Sequence, residues 1–372
     1  MIKSFEGGRG IAAVFVALFH LGIGAAFISP IRHGYVFVDL FFVLSGFLMF
    51  SAYAKKLETS QAFQPFLIRR FGRLFPLLVF STVAFVTLQN LIVFAKNQAI
   101  ALGYIRFFKV PGLLEYKFPS AFEIFSTLTL THSLGLFDKL IMNYASWSIS
   151  AEFYAYVLFA ALCFLVRGQA RLVVFAIVSF IGFLLVTWAT IKIHHCLDEG
   201  RCFDVSYDFG FARCICAFFL GALTCHFSQF ARFNAYKLQL AALTLLILLF
   251  SLVDTFPIVG FAFFGTFSLL LLSISRDIGF LAELLKLKPF QVLGQRSYSI
   301  YMMHPVVLLP LISYREHIKG FMMVSTVLIA YIAVLVIVSG WTYRFIENPF
   351  RNWFNRMAGA AAPVDRIATP ST

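Results

Sequence analysis

Ten stretches of predominantly apolar residues follow one another along this chain: 10–28, 35–53, 74–95, 144–166, 172–193, 209–230, 238–253, one ending near Ser275, 297–314 and 321–345. About twenty apolar residues at ~1.5 Å per residue match the ~30 Å hydrocarbon core of a bilayer. No water is available there to satisfy backbone N–H and C=O groups, so each stretch must close its own hydrogen bonds as a helix. The expected fold is all-α: a polytopic integral membrane protein of about ten transmembrane helices. The composition excludes a soluble enzyme, since 60% of the residues are hydrophobic, 13% are charged and the mean hydropathy is +0.87.

A net charge of +13 would raise nucleic acid as a partner in a soluble chain. In a membrane protein it is first a topology signal. With the N-terminus inside, the inner segments hold 19 of the 30 basic residues, so both termini are expected to be cytoplasmic. Cys196 and Cys202 then share an outer loop, where a disulfide and two free thiols are both compatible with the spacing. Residues 1–357 are read as one transmembrane domain and 358–372 as a disordered cytoplasmic tail. No cleavable signal sequence is evident, because the first apolar stretch lacks a small-residue cleavage site. Lys96–Asn143 is only intermittently apolar and reads as a loop with interfacial pieces.

Ionisable groups inside a membrane are costly and mark function by default. Arg9 and His20 are eleven residues apart on the first span, which returns them to nearly the same face, with roughly 16 Å between them. Counted from their membrane entries, His20, Glu152 and His304 fall near one depth. Ser148 and Glu152 are four apart on one helix face. They could be a nucleophile and its base, acceptors for a sugar hydroxyl, or a network tying helices together. Arg69, Arg70 and Arg73, with Pro76 behind them, sit at an expected helix start and suit either a phosphate-bearing substrate or anionic lipid. Asp39 could pair with an arginine, orient a histidine or cap its helix. Ser45-Gly46 allows close helix approach. Pro305, after His304, should break the backbone ladder and free a carbonyl. Glu347 reads as a salt-bridged helix terminus. No nucleotide-binding glycine motif or paired zinc-type cysteine pattern is present, and metal binding at His194-His195 would be adventitious.

Taken together, six stretches resemble membrane acyltransferase family three, bacterial O-acyltransferases of surface polysaccharides and related glycans. They are Arg9-Gly10 with His20, the segment Val38–Leu48, Arg69–Pro76, Trp147–Tyr154, Ser297–Tyr301 with His304, and Glu347-Asn348-Pro349. The resemblance implies about ten spans, a cytoplasmic acyl-CoA donor (acetyl-CoA), a glycan or glycolipid acceptor, and essential roles for Arg9 and His20. Some relatives add an outer hydrolase-like domain; this chain reads as the stand-alone form. The expected catalytic residues are His20, Arg9, Glu152 and Asp39. Substrate binding is expected at Arg69, Arg70, Arg73, Ser148, Trp147, Tyr301 and His304. No metal and no bound cofactor are expected. The partners are the bilayer of the bacterial inner membrane, acyl-CoA and the acceptor, with no nucleic acid. Direct transfer with His20 as general base is the expected course, and a covalent acyl-histidine or acyl-serine the alternative. A proton-coupled transporter of a glycan or lipid is the competing reading, although the repeated halves common in transporters are not visible.

Overall fold

The computed structural model describes residues 2–103, 114–230 and 233–359. The longer helices are α1 (Lys3–Leu21), α2 (Phe37–Tyr53), α3 (Ser60–Ala101), α4 (Trp147–Leu165), α5 (Gly168–Lys192), α6 (Gly210–Phe230), α7 (Ala235–Leu252), α8 (Phe263–Ile274), α9 (Ser297–Leu308), α10 (Phe321–Thr342) and α11 (Asn348–Met357). The chain is an all-α polytopic membrane protein, with eight helical stretches among the described residues long and apolar enough to cross a bilayer. The two of the ten expected spans that miss this measure are α1 and α9. The first opens with Lys3, Glu6 and Arg9, and the second is twelve residues long, followed by a 3-10 turn at Leu309–Leu311. The second is also enclosed by its neighbours: every residue of α9 from Ser297 to Val306 is buried.

Burial separates the layers. Among the apolar spans, α6 is 72% buried and the α2 span 67%, whereas the α10 span is 11% buried and faces outward. The central contact is the α2–α6 crossing. A Cβ on Gly46 would stand 1.7 Å from Phe218 O, and one on Gly221 would stand 1.9 Å from Val43 O. Each helix therefore supplies a glycine where the other's backbone passes, the close approach expected at Ser45-Gly46.

Helix ends differ from the hydropathy reading. The third helix starts at Ser60, not near Leu74, and its 42 residues span ~63 Å, twice the hydrocarbon thickness. The arginine cluster therefore lies within a continuous helix, because hydropathy marks where a helix enters lipid rather than where it begins. The same helix takes the start of the expected Lys96–Asn143 loop, which also contains a capped helix at Ala121–Leu128; residues 104–113 of that loop lie outside the described residues. The expected tail lies outside them from residue 360 onward.

On the face away from the α1 N-terminus, Cys196 and Cys202 are disulfide-bonded. Arg32 and His33 both reach Asp254, at 2.8 Å each, tying the α1–α2 connection to the α7–α8 turn. Burial pushes the Asp254 carboxyl up, but hydrogen bonds from His33 and Arg32 outweigh it and hold the group below its ordinary value.

Candidate active site

A cavity of about 1010 Å³ opens at the end of the bundle where α1 begins. Val38 and Tyr53 both line it and are fifteen residues apart on α2, so it follows that helix for roughly 22 Å. Six arginines (Arg9, Arg69, Arg70, Arg73, Arg351 and Arg356) and three glutamates (Glu6, Glu152 and Glu347) face it. The excess of guanidinium charge fits an anionic ligand, and the length fits an extended one.

The arginines come from three helices, α1, α3 and α11. On α1, Arg9 pairs with Glu6 at 3.4 Å and is only 15% exposed. From α3, Arg70 donates to Tyr53 Oη at 3.3 Å and lies over the Tyr53 and Tyr156 rings, 5.3 and 5.8 Å from their centroids. Its buried Nε has no hydrogen-bond partner among the described residues, so one donor of the fork remains for a ligand. Arg69 donates to Gly359 O at 3.0 Å.

Ser148 and Glu152 both line the cavity but do not pair with each other. Ser148 donates to Tyr301 Oη at 2.7 Å, while Glu152 Oε1 accepts from Ser45 and Tyr156. Their shared face of α4 is divided between neighbours, α9 claiming the serine and α2 the glutamate. Glu347 accepts from Ser299 at 2.8 Å and faces the cavity from a π-helical turn.

His20, His304, Asp39 and Trp147 do not line the cavity. His20 and His304 meet behind it, with His304 Nε2 3.2 Å from His20 Nδ1 and ring centroids 4.8 Å apart. Of the three ionisable groups expected at one depth, these two are brought together and Glu152 belongs to a separate set. Between the cavity and the histidines stand Phe41 and Tyr301, whose rings pack at 5.8 Å; the Tyr301 ring lies 5.7 Å from that of His304.

The histidine pair has a defined proton arrangement. Pro305 has no N–H, so the carbonyl four residues earlier, Tyr301 O, loses its helical donor. His304 Nδ1 takes that place at 2.5 Å. Since a carbonyl only accepts, His304 carries its proton on Nδ1 and presents Nε2 as an acceptor. His20 Nδ1 faces Val16 O at 2.9 Å as well as His304 Nε2, so it too is the protonated nitrogen. Nε2 of His20 then carries the free lone pair.

Asp39 forms a two-pronged ion pair with Arg213, Nε–Oδ1 2.8 Å and Nη2–Oδ2 2.9 Å, and is 2% exposed. Arg213 also donates to Tyr35 O and Val205 O. Both carboxylate oxygens are engaged and Asp39 does not line the cavity, so of the roles the sequence left open the structure shows the arginine partner. The same guanidinium lies over the Trp147 ring, 5.4 Å from its centroid, and Trp147 is not part of the cavity lining.

The sequence reading missed Ser45 and Tyr156 as partners of Glu152, Glu6 as partner of Arg9, and the whole wall contributed by α11. One signal was available for α11: Arg351, Asn352, Asn355 and Arg356 recur at helical spacing just beyond the last apolar stretch.

A family model described as an acyltransferase domain matches residues 2–344. The chain belongs to this family, membrane acyltransferase family three. It is similar to the peptidoglycan O-acetyltransferase OatA of Listeria monocytogenes, 27% identical over 94% of this chain and 56% of that protein. The putative peptidoglycan O-acetyltransferase YrhL of Bacillus subtilis is 25% identical over 98% of this chain and 57% of its own length. The O-acetyltransferase OatA of Staphylococcus aureus is 26% identical over 94% and 57%. The chain thus spans little more than half the length of these relatives. No solved structure matches it.

Proposed function

We propose that this chain is a bacterial inner-membrane O-acyltransferase that moves an acyl group, acetyl by analogy with the relatives' names, from cytoplasmic acyl-CoA to a hydroxyl of a glycan at the opposite face. The observation that carries this reading is the arginine-rich cavity running from the α1 N-terminal end toward a histidine pair with one free ring nitrogen. The count of basic residues puts that cavity mouth, and both termini, on the cytoplasmic side. Arg69, Arg70 and Arg73 of α3, with Arg9 of α1, hold the donor's phosphates, and the pantetheine arm follows α2. The acceptor hydroxyl attacks the thioester carbonyl while His20 Nε2 takes its proton. The carbon–sulfur bond breaks, and the proton passes to the leaving thiolate. His304 Nε2 accepts from His20 Nδ1–H and supports the positive charge that forms on the ring. Glu152, with Ser45 and Tyr156, shapes the cavity wall beside the acyl arm. Asp39 positions α2 through Arg213. The acceptor is a peptidoglycan-type sugar on the strength of the relatives' names alone. The match to an acyltransferase family favours this reading over transport.

The test uses protein reconstituted in lipid nanodiscs with radiolabelled acetyl-CoA and a soluble glycan acceptor. His20→Ala is expected to remain folded and monodisperse and to lose at least about a hundredfold in transfer, the scale of a general base. Near-normal product from that variant removes His20 from the chemistry. Arg70→Ala is expected to raise the donor KM with a smaller effect on the acceptor KM, and an unchanged donor KM counts against the phosphate role.

A further inference from the structure

Part of the cavity mouth, packed beside the α3 arginines, belongs to α11, the short helix beyond the last span. It is seated by Phe354. A Cβ on Gly72 would fall 2.1 Å from Phe354 Cβ, so the glycine between Arg70 and Arg73 is the notch that admits this side chain. Phe71 packs on the same ring with centroids 5.9 Å apart. With Phe354 seated, Phe350, Trp353 and Met357 stay exposed on the outer side, as on a helix that lies in the lipid headgroup layer. Arg351, Asn352, Asn355 and Arg356 line the cavity. Arg351 donates to Asn348 Oδ1 at 2.8 Å, which engages one of its five N–H groups.

The mouth therefore carries guanidinium groups from two adjoining helices, and those of α11 come with two amides. Guanidinium forks match phosphate oxygens, and a side-chain amide matches the paired acceptor and donor on the edge of adenine. A donor ending in a diphosphate alone would need the guanidinium groups of only one helix. We propose that α11 reads the nucleoside end of the donor: Arg351 and Arg356 bind a ribose 3′-phosphate and Asn352 and Asn355 contact the base, while the α3 arginines take the diphosphate. This rests on the acyl-CoA reading above and extends it by assigning a second, discriminating subsite.

The experiment measures binding of two probes, CoA and 3′-dephospho-CoA, to the full-length protein in nanodiscs by isothermal titration calorimetry. The wild-type protein is expected to bind CoA about tenfold or more tightly than the dephospho form, as loss of a charge-assisted contact implies. Arg351→Ala/Arg356→Ala is expected to bring that ratio close to one by weakening CoA only, and Arg351→Lys/Arg356→Lys to restore part of it. The lysine variant, checked for a monodisperse elution profile, keeps the result interpretable if the alanine variant folds poorly. A double alanine variant that keeps the wild-type ratio, or weakens both probes equally, overturns the proposal while leaving the donor reading intact. A wild-type protein that binds neither probe overturns the donor reading, and this inference with it.

Discussion

Asp39 and Arg213 are each the lone charge of a membrane helix, and at the scale of single residues they answer one another. A carboxylate 2% exposed, absent from the cavity lining and with each oxygen on one guanidinium is held as the partner of that charge rather than presented to a substrate. Breaking a buried pair by removing one partner costs about 3–5 kcal/mol, whereas replacing both with apolar groups is often neutral. Asp39→Ala is therefore expected to lower the yield of monodisperse protein and its melting temperature sharply. Asp39→Leu/Arg213→Met is expected to recover both, and to recover acyl transfer with them. A double variant that is stable but inactive would return Asp39 to the chemistry. The pairing was half legible: both residues stand out as intramembrane charges, but they are separated by 174 positions, and nothing in a single sequence specifies which partner a buried charge meets. By contrast, His304 and Pro305 carried their own explanation, because a missing proline N–H names the carbonyl it orphans.

Helices were legible wherever lipid defines them, and less so where it does not. The α2–α6 crossing could be anticipated from Ser45-Gly46, since small residues are what allow backbones to touch in a bilayer. Its reciprocal glycine on α6 could not, because contact between helices needs the third dimension. The ends of α3 and all of α11 lie at the membrane surface, where charged residues read as loop and the apolar signal fades. Consequently Arg69–Arg73 were found as a cluster but placed at a helix start, and the α11 wall was overlooked. The crossing itself offers a clean stability test. Gly221→Val places a branched side chain where a single Cβ already falls 1.9 Å from Val43 O, so folded, monodisperse protein is expected to be lost. Gly8→Ala, where an added Cβ meets nothing within 4 Å, is expected to fold at least as well, alanine being the better helix former by about 1 kcal/mol. Equal yields from the two variants would mean that the α2–α6 contact is looser than described.

Considered as a whole, the molecule keeps its arginine-lined cavity and its histidine pair apart, and the proposed reaction must join them. The cavity is open to one side and holds the groups suited to an anionic donor, while His20 and His304 sit past Phe41 and Tyr301. A thioester arriving in the cavity would remain shielded from the histidines until the Tyr301 ring moves, and its hydroxyl is held in place by Ser148 at 2.7 Å. Such a partition has a chemical reason. An activated acyl group exposed to a histidine base and to water would be hydrolysed without an acceptor, and excluding water prevents this side reaction. Removing the partition should therefore uncouple the two steps rather than merely slow them. For Tyr301→Ala, acyl-CoA hydrolysis in the absence of acceptor is expected to rise severalfold while transfer to glycan falls, with donor affinity little changed because the arginines proposed to hold the phosphates are on α3 and not beside this ring. Release of free thiol, followed with a thiol-reactive dye in nanodiscs with and without glycan, measures the ratio directly. If hydrolysis and transfer fall together, Tyr301 is part of the catalytic machinery itself and not a barrier between its halves. If neither changes, the acyl group reaches the histidines by a route that does not pass this ring.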